Sequence, residues 1–305
     1  MTLDPMFRTV SDFCPQAVEM REALDDFFTR APSDRKAQLW NYWYIPNAYA
    51  YLKTCMDNLI STELCNRFME GLNEWAAENL GLTATSWPYL SLYVNGCHQC
   101  FHNDASAGRF AYVLSLSRPE RCFRGGATLI MREEPYWNSQ RQDEATSPLG
   151  LYHRVEPHFN QLAVFDDRCP HAVETVQGSM DPRDGRLVLH GHLDSHGAFA
   201  RGALAEVEEH RVLEPLLASV GRLYTLFPGT YSGLLTLRLE VNAIGAVDSV
   251  HRLVHRLIPQ DGSELPAWEE VAGWAGGLRF PASGGASRII LPLWAGPATD
   301  GCLTL

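Results

Sequence analysis

The sequence predicts a mainly β core with flanking helices, followed by a small α+β unit. Three observations carry this reading. Short apolar or alternating runs separated by turn residues recur from about Ser91 to His192. Two stretches upstream of them have the period of amphipathic helices, and the last hundred residues mix strand-like and helix-like patterns.

Residues 16–30 and 61–80 are the two helices. The second carries Leu64, Phe68, Leu72 and Trp75 on one face and meets Gly81 as its stop. Both are expected to brace the outside of the β core. Between them Trp40, Tyr42, Trp43, Tyr44, Tyr49 and Tyr51 form an aromatic segment, which is expected to pack against the barrel.

The first core strand is Ser91-Leu92-Tyr93-Val94, ended by Asn95-Gly96, a tight-turn dipeptide. His102 and Asp104 then open the next strand, and period-two alternation puts both side chains on one face. Residues 109–116 read as a buried strand, and Gly125-Gly126 precedes Ala127 to Met131 where a bend or a close backbone approach is needed. Leu162 to Asp166 is a short apolar strand that stops just before Cys169-Pro170-His171. The turn Asp181-Pro182-Arg183-Asp184-Gly185 delivers a last strand on which Arg186, Val188, His190 and His192 share a side.

Two imidazoles and one carboxylate, His102, Asp104 and His171, are the ligand types of a facial triad, which leaves positions on an octahedral iron open for substrate and dioxygen. A structural zinc site is normally closed by a fourth protein ligand. Open positions point to chemistry at the metal.

With these parts in this order, the stretch from about Tyr93 to His192 resembles the Fe(II)/2-oxoglutarate-dependent oxygenases of the prolyl-hydroxylase type. The likeness rests on Tyr-x-x-Gly before H-x-D, the Gly-Gly strand, Glu156-Pro157-His158-Phe159, and Pro170-His171 followed by an arginine. It implies a double-stranded β-helix, or jelly roll, with His102, Asp104 and His171 on Fe(II). Arg186 is implied to pair with the distal carboxylate of the cosubstrate 2-oxoglutarate, and Tyr93 matches a family tyrosine that contacts it; Tyr112 has the strand parity for a cosubstrate contact, with core packing as its better reading. The interval from His171 to the arginine is longer than usual in the family, which makes Arg183 a competing anchor. Arg186 is preferred because it lies within the strand pattern. The resemblance further implies hydroxylation of an unactivated C–H bond by dioxygen, with 2-oxoglutarate decarboxylated to succinate. The substrate read from it is a peptide or protein side chain. The alternatives are a free amino acid or small natural-product intermediate (hydroxylated, desaturated or cyclised), or a non-catalytic cupin-like metal binder.

Composition bounds the partners. A chain of 305 residues, 46% hydrophobic, buries a large core, and its net charge of -11 argues against nucleic acid. With no apolar run of membrane-spanning length and no signal-peptide pattern, a cytoplasmic protein without membrane partners is expected. The eight cysteines read as reduced and mostly buried. Cys97-His98-Gln99-Cys100 lacks the second ligand pair that zinc needs, even with Cys122 nearby.

Domain boundaries follow. Residues 1–200 form the oxygenase domain, with helical support over 1–85 and the jelly roll over 86–200. Residues 133–150 are a polar insertion expected to act as a lid. Residues 201–305 form the α+β unit, with a helical 203–223, a strand 234–241, a strand-like 247–258 that leaves His251 and His255 solvated, a helix near Trp268 to Trp274, and a strand from Arg288. The Gly-x-Val and Phe-Pro punctuation of this last part resembles the C-terminal domain of TonB-like proteins, which implies a binding module or a homodimer contact.

Overall fold

A computed structural model describes residues 4–5, 7–30, 39–120, 122–132, 151–296 and 299–304, so the lid expected over 133–150 lies outside the described residues. Strands β1 (Phe7–Val10), β2 (Asn41–Ile45), β3 (Tyr49–Cys55) and β4 (Leu82–Thr83) precede the core. The core strands are β5 (Tyr89–Tyr93), β6 (His98–His102), β7 (Phe110–Ser115), β8 (Thr128–Met131), β9 (Tyr152–Val155), β10 (Leu162–Asp166), β11 (His171–Val173) and β12 (Arg186–Leu193). After them come β13 (Ser195–His196), β14 (Phe199–Gly202), β15 (Tyr231–Val241), β16 (Val247–His255), β17 (Ile258–Pro259) and β18 (Ser287–Ala295). The helices are α1 (Ala17–Thr29), α2 (Thr62–Leu80), α3 (Glu209–Ala218), α4 (Val220–Leu226) and α5 (Trp268–Gly276).

Residues 6–71 and 84–194 form one compact unit. Its eight core strands lie in two runs, β5-β12-β7-β10 and β6-β11-β8-β9, all antiparallel. The chain passes from one run to the other at each step until β8 and β9, which pair as the central hairpin, and then returns between the strands already laid down. That interleaving defines a double-stranded β-helix, or jelly roll. Strand β3 pairs with both β5 and β6 and so joins the runs, while β1 extends the first run beside β10.

Alternation explains the two faces. On β12, Leu187, Leu189 and Leu193 are fully buried on one side, while Arg186, Val188, His190 and His192 face the interior of the jelly roll. Phe68 of α2 is buried beside Tyr112 of β7, as expected for a bracing helix. The aromatic segment differs from expectation. Tyr51 is buried, but among the described residues β2 pairs only with β3, and Tyr42, Trp43, Tyr44 and Ile45 are exposed. A hairpin edge strand with no second neighbour has nothing to pack its outer residues against.

The other unit is assembled from residues 1–5, 72–83 and 195–305. An antiparallel sheet β14-β18-β15-β16, with β17 paired to β15, carries Leu235, Leu237 and Leu239 opposite Leu293, Leu291 and Ile289. These join Val212 and Leu216 of α3, Leu223 of α4, and Val271 and Trp274 of α5 in one apolar core. The opposite face of β15 presents Thr236, whose hydroxyl donates to the Leu80 carbonyl at 2.6 Å. Gly81 ends α2 at φ +70, and a Cβ there would lie 2.9 Å from Pro292 Cβ, so a left-handed backbone and a close approach both demand glycine. The strand read over His251 and His255 is present, but His255 is fully buried rather than solvated. Its backbone N–H donates to the Asp4 carboxylate at 2.7 Å, a partner 251 positions away. No described helix is long and apolar enough to cross a membrane.

The contact between β7 and β12 is tight where Gly191 faces Tyr112, since a Cβ on Gly191 would stand 2.6 Å from the tyrosine hydroxyl. Gly191→Ala is therefore expected to destabilise the protein by about 1–3 kcal/mol through overpacking. Adding Tyr112→Phe removes the nearest atom and should recover part of that loss in denaturant melts. Equal stability of wild type and Gly191→Ala would contradict this packing.

Candidate metal centre

Antiparallel pairing brings the first two residues together. His102 ends β6 and His171 opens β11, and the register sets them directly opposite one another, with ring centroids 4.2 Å apart. Asp104 lies two residues past the end of β6 rather than within the next strand, where the sequence reading put it. Its backbone N–H donates to the Asp167 carbonyl at 3.0 Å, which turns the chain so that the carboxylate stays with the histidines. Asp104 Oδ1 is 3.8 Å from His102 Nε2, and Oδ2 is 3.5 Å from His171 Nε2. One ligand atom from each of the three residues falls within 4.8 Å of the others, a spacing that suits a common ion.

Hydrogen bonds fix which ring nitrogens would face an ion. Nδ1 of His102 is 2.9 Å from the Cys100 carbonyl, and Nδ1 of His171 is 3.1 Å from the Cys169 carbonyl. A carbonyl only accepts, so each Nδ1 carries a proton and each Nε2 is the nitrogen left to face Asp104. Burial, with the charge of His171 second, holds the His102 pKa below the ordinary imidazole value. Burial alone would raise Asp104, but the hydrogen bond and charge of His171, with His102, outweigh it and hold the carboxyl at about 2. Two imidazoles, from His102 and His171, and the ionised carboxylate of Asp104 are the donor types of a facial triad.

Arg186 lines the same cavity of about 280 Å³ as the three candidate ligands. It is only 2% exposed, and its Nη2 donates to Thr128 Oγ1 at 3.1 Å, whereas Nε and Nη1 are buried without a hydrogen-bond partner among the described residues. The guanidinium stands 4.8 Å from the centre of the Tyr93 ring, which stacks on Tyr51 at 5.0 Å. Burial pushes its pKa down, yet a guanidinium stays charged. Gly126, at φ +72, leaves room for this side chain, since a Cβ there would be 3.3 Å from Arg186 Cδ and 2.9 Å from the Phe123 ring. That is the close approach for which the sequence reserves a glycine pair.

Arg183, the competing anchor, sits in a surface turn with Asp181 2.6 Å from its Nη2, and its carbonyl accepts from Arg21 at 2.7 Å. Tyr93 faces the cavity and donates to Gln99 Oε1 at 3.2 Å. Tyr112 borders the cavity, but its register opposite Gly191 puts it on the other face of β7 from Ala111 and Val113. Its ring centroid is 6.4 Å from that of Phe68 of α2, so the ring packs under the bracing helix at the cavity's border. Among the described residues, Cys97, Cys100 and Cys122 belong to no group suited to a metal.

Four participants were not anticipated as site residues. Gln99 Nε2 lies 3.0 Å from His102 Nε2, occupying the lone pair that a metal would take. Asp167, buried and raised to about 6 chiefly by that burial, pairs with His192 at 3.0 Å and groups with Asp104. His190 contacts Ser91 Oγ at 2.8 Å, and Lys53 stands over the Tyr89 ring at 3.7 Å. The period-two pattern already placed His190 and His192 on the Arg186 side, but only strand register reveals their partners.

No protein-family model matches the sequence, and no curated protein matches it. Among solved structures the chain is similar to a prolyl-4-hydroxylase of Pseudomonas putida, with 19% identity over 63% of this chain and 94% of that one, at a TM-score of 0.41. It is also similar to a prolyl hydroxylase of Trichoplax adhaerens in complex with a hypoxia-inducible-factor peptide fragment, with 11% identity over 61% and 81% of the two chains, at a TM-score of 0.43. A viral collagen prolyl hydroxylase of Paramecium bursaria Chlorella virus-1 gives 12% identity over 61% and 94%, at a TM-score of 0.40.

The cavity wall has a pH signature. Burial, then the charge of Lys53, drives the His190 pKa down to about 3. Between that value and the ordinary imidazole pKa of about 6.5, the unfolded chain takes up a proton that the folded chain refuses, so stability falls on acidification. We expect His190 to account for a loss of roughly 1 kcal/mol per pH unit below about pH 6.5. Denaturant melts at pH 7 and pH 5 should show a smaller drop for His190→Gln than for wild type, and parallel drops would refute the assignment.

Proposed function

We infer that this chain is an Fe(II)- and 2-oxoglutarate-dependent dioxygenase that hydroxylates an unactivated C–H bond. The observation that supports this best is the sharing of one cavity by a three-residue donor set and a buried guanidinium with two unpartnered nitrogens. A buried unpaired charge costs several kcal/mol, and a ligand carboxylate relieves that cost through paired, charge-assisted hydrogen bonds. A metal-binding protein without oxygen chemistry has no use for such a cation.

His102, Asp104 and His171 would hold the iron through Nε2, a carboxylate oxygen and Nε2. Bound there, Fe(II) with 2-oxoglutarate and dioxygen supplies oxidative decarboxylation to succinate and carbon dioxide coupled to hydroxylation of a substrate. Arg186 receives the carboxylate at the far end of 2-oxoglutarate, Thr128 steadies one of its nitrogens, and the Tyr93 ring supports its face. The carbonyls of Cys100 and Cys169 keep each histidine in its metal-binding tautomer. The same chemistry serves a peptide side chain, a free amino acid or a small natural-product intermediate.

Adding Fe(II) and then 2-oxoglutarate without oxygen should produce a visible charge-transfer band, and its absence in folded, iron-loaded protein would overturn the reading. His102→Ala and Asp104→Ala should each abolish succinate release, because two remaining ligands hold a labile divalent ion poorly. Arg186 yields a two-sided expectation. Arg186→Met should raise the 2-oxoglutarate requirement roughly ten- to a hundredfold, the worth of about 1.5–3 kcal/mol of charge-assisted bonding. The same change should stabilise the cosubstrate-free protein by about 1–4 kcal/mol, since a well-packed apolar chain replaces an unpaired buried charge. Arg183→Ala should do neither, and the reverse ranking in melting and saturation curves would move the anchor into the turn.

A further inference from the structure

Lys53 is one of only two lysines in a chain with 25 Lys and Arg residues, and it lines the cavity that holds Arg186. Register fixes its place. Strand β3 pairs with β5 at Lys53 and Ser91, and β5 pairs with β12 at Ser91 and Val188, so Lys53 shares the inner face with Tyr51, Tyr93 and Arg186. Its ammonium lies 3.7 Å from the centroid of the Tyr89 ring and 4.8 Å from that of Trp43. Both rings are exposed at the rim, 42% and 45%, while the lysine itself is half-buried.

Two π faces stabilise a cation but accept none of its three hydrogen bonds in the way that an anion does. No ion pair joins Lys53 to a carboxylate among the described residues. Nor do its neighbours supply one. His190 is engaged by Ser91, and the carboxylate whose charge reaches Lys53 is that of Asp104, which faces the two candidate histidine ligands. On the dioxygenase reading, Fe(II) with Asp104 carries one positive charge, Arg186 adds a second, and the 2-oxoglutarate dianion cancels both. Lys53 is then the uncompensated charge facing the remaining space.

We propose that Lys53, held between Trp43 and Tyr89, receives an anionic group, a carboxylate or a phosphate, on the substrate whose C–H bond is oxidised. The substrate is then a free acid or a phosphorylated small molecule, not an uncharged residue inside a polypeptide, and the two rings flank the apolar part next to its anion. This inference rests on the dioxygenase reading for the charge balance, and on register and ring geometry for the site.

The scarcity of lysine makes the test direct. Reductive methylation with ¹³C-formaldehyde keeps the charge and labels Lys36, Lys53 and the terminal amine, with Lys36→Arg and Lys53→Arg assigning the two side-chain NMR signals. Protein carrying Zn(II) and 2-oxoglutarate is titrated with 3-phenylpropanoate, its amide 3-phenylpropanamide, and phenyl phosphate. One or both anions should move the Lys53 signal saturably while the amide leaves it in place, and the tighter anion identifies the natural group. Lys53→Met should weaken anion binding, measured by calorimetry, roughly ten- to a hundredfold and leave 2-oxoglutarate binding unchanged. Equal binding of amide and anions, an unmoved Lys53 signal, or a Lys53 signal moved by 2-oxoglutarate alone would overturn the proposal. Failure of 2-oxoglutarate to bind, with the anion response intact, would overturn the dioxygenase reading and leave the anion site standing.

Discussion

A guanidinium buried inside the jelly roll with two of its nitrogens unpartnered is the constraint around which the interior is built. Arg186 reaches its place because Gly126 clears a path, Thr128 takes one nitrogen and Tyr93 presents a ring face. From Tyr93 the contacts run on to Gln99 and from Gln99 to Nε2 of His102. The cation and the first candidate metal ligand are therefore ends of one chain of polar contacts. A ligand that engages Arg186 acts on the same tyrosine whose hydroxyl positions the glutamine at the histidine.

Such a cation opposes stability. Removing charge from water without a counter-charge costs more than one hydrogen bond and a ring face return. A sequence selected for stability alone would place an apolar residue here, among Val188, Tyr93 and Tyr51. The penalty stays local because the outer faces of the same strands are purely apolar: Leu187 and Leu189 of β12 and Leu90 of β5 are fully buried. Apolar burial of about 1.5–3 kcal/mol per leucine offsets the cost of holding the charge ready.

The parts of this arrangement that were legible in the sequence are those set by periods within one strand. Arg186, Val188, His190 and His192 share a face because strand side chains alternate, and Asn95-Gly96 marks its turn because few other dipeptides tolerate the backbone. What depends on pairing was not legible. Tyr112 carries no local mark of its face, which follows from its register against Gly191. Lys53 sits in an aromatic stretch that looks like packing until β3 is placed beside β5. His255 alternates like an exposed histidine and is buried by Asp4 from the other end of the chain, and the association of 72–83 with the C-terminal stretch is equally long-range. Asp104 was placed within a strand because His-x-Asp has strand spacing, whereas the backbone bond to Asp167 ends the strand first.

Strand β12 ties these pieces into one device. Its inward residues step along the cavity by about 6.6–6.8 Å for every second position. Arg186 stands at one end of the cavity, Val188 and His190 along the wall beside Ser91 and Lys53, and His192 at Asp167 next to the candidate metal ligands. A slip of one residue against β7 or β5 would turn all four outward and bring Leu187, Leu189 and Leu193 into the cavity. Register is therefore the variable that the fold must protect, and Gly191 against the Tyr112 hydroxyl protects it by shape. A side chain does not fit at that one point, whereas the other outward positions of the strand hold leucines. The chemistry of the site thus depends on a contact that faces away from it, between a buried phenol and a missing methyl group.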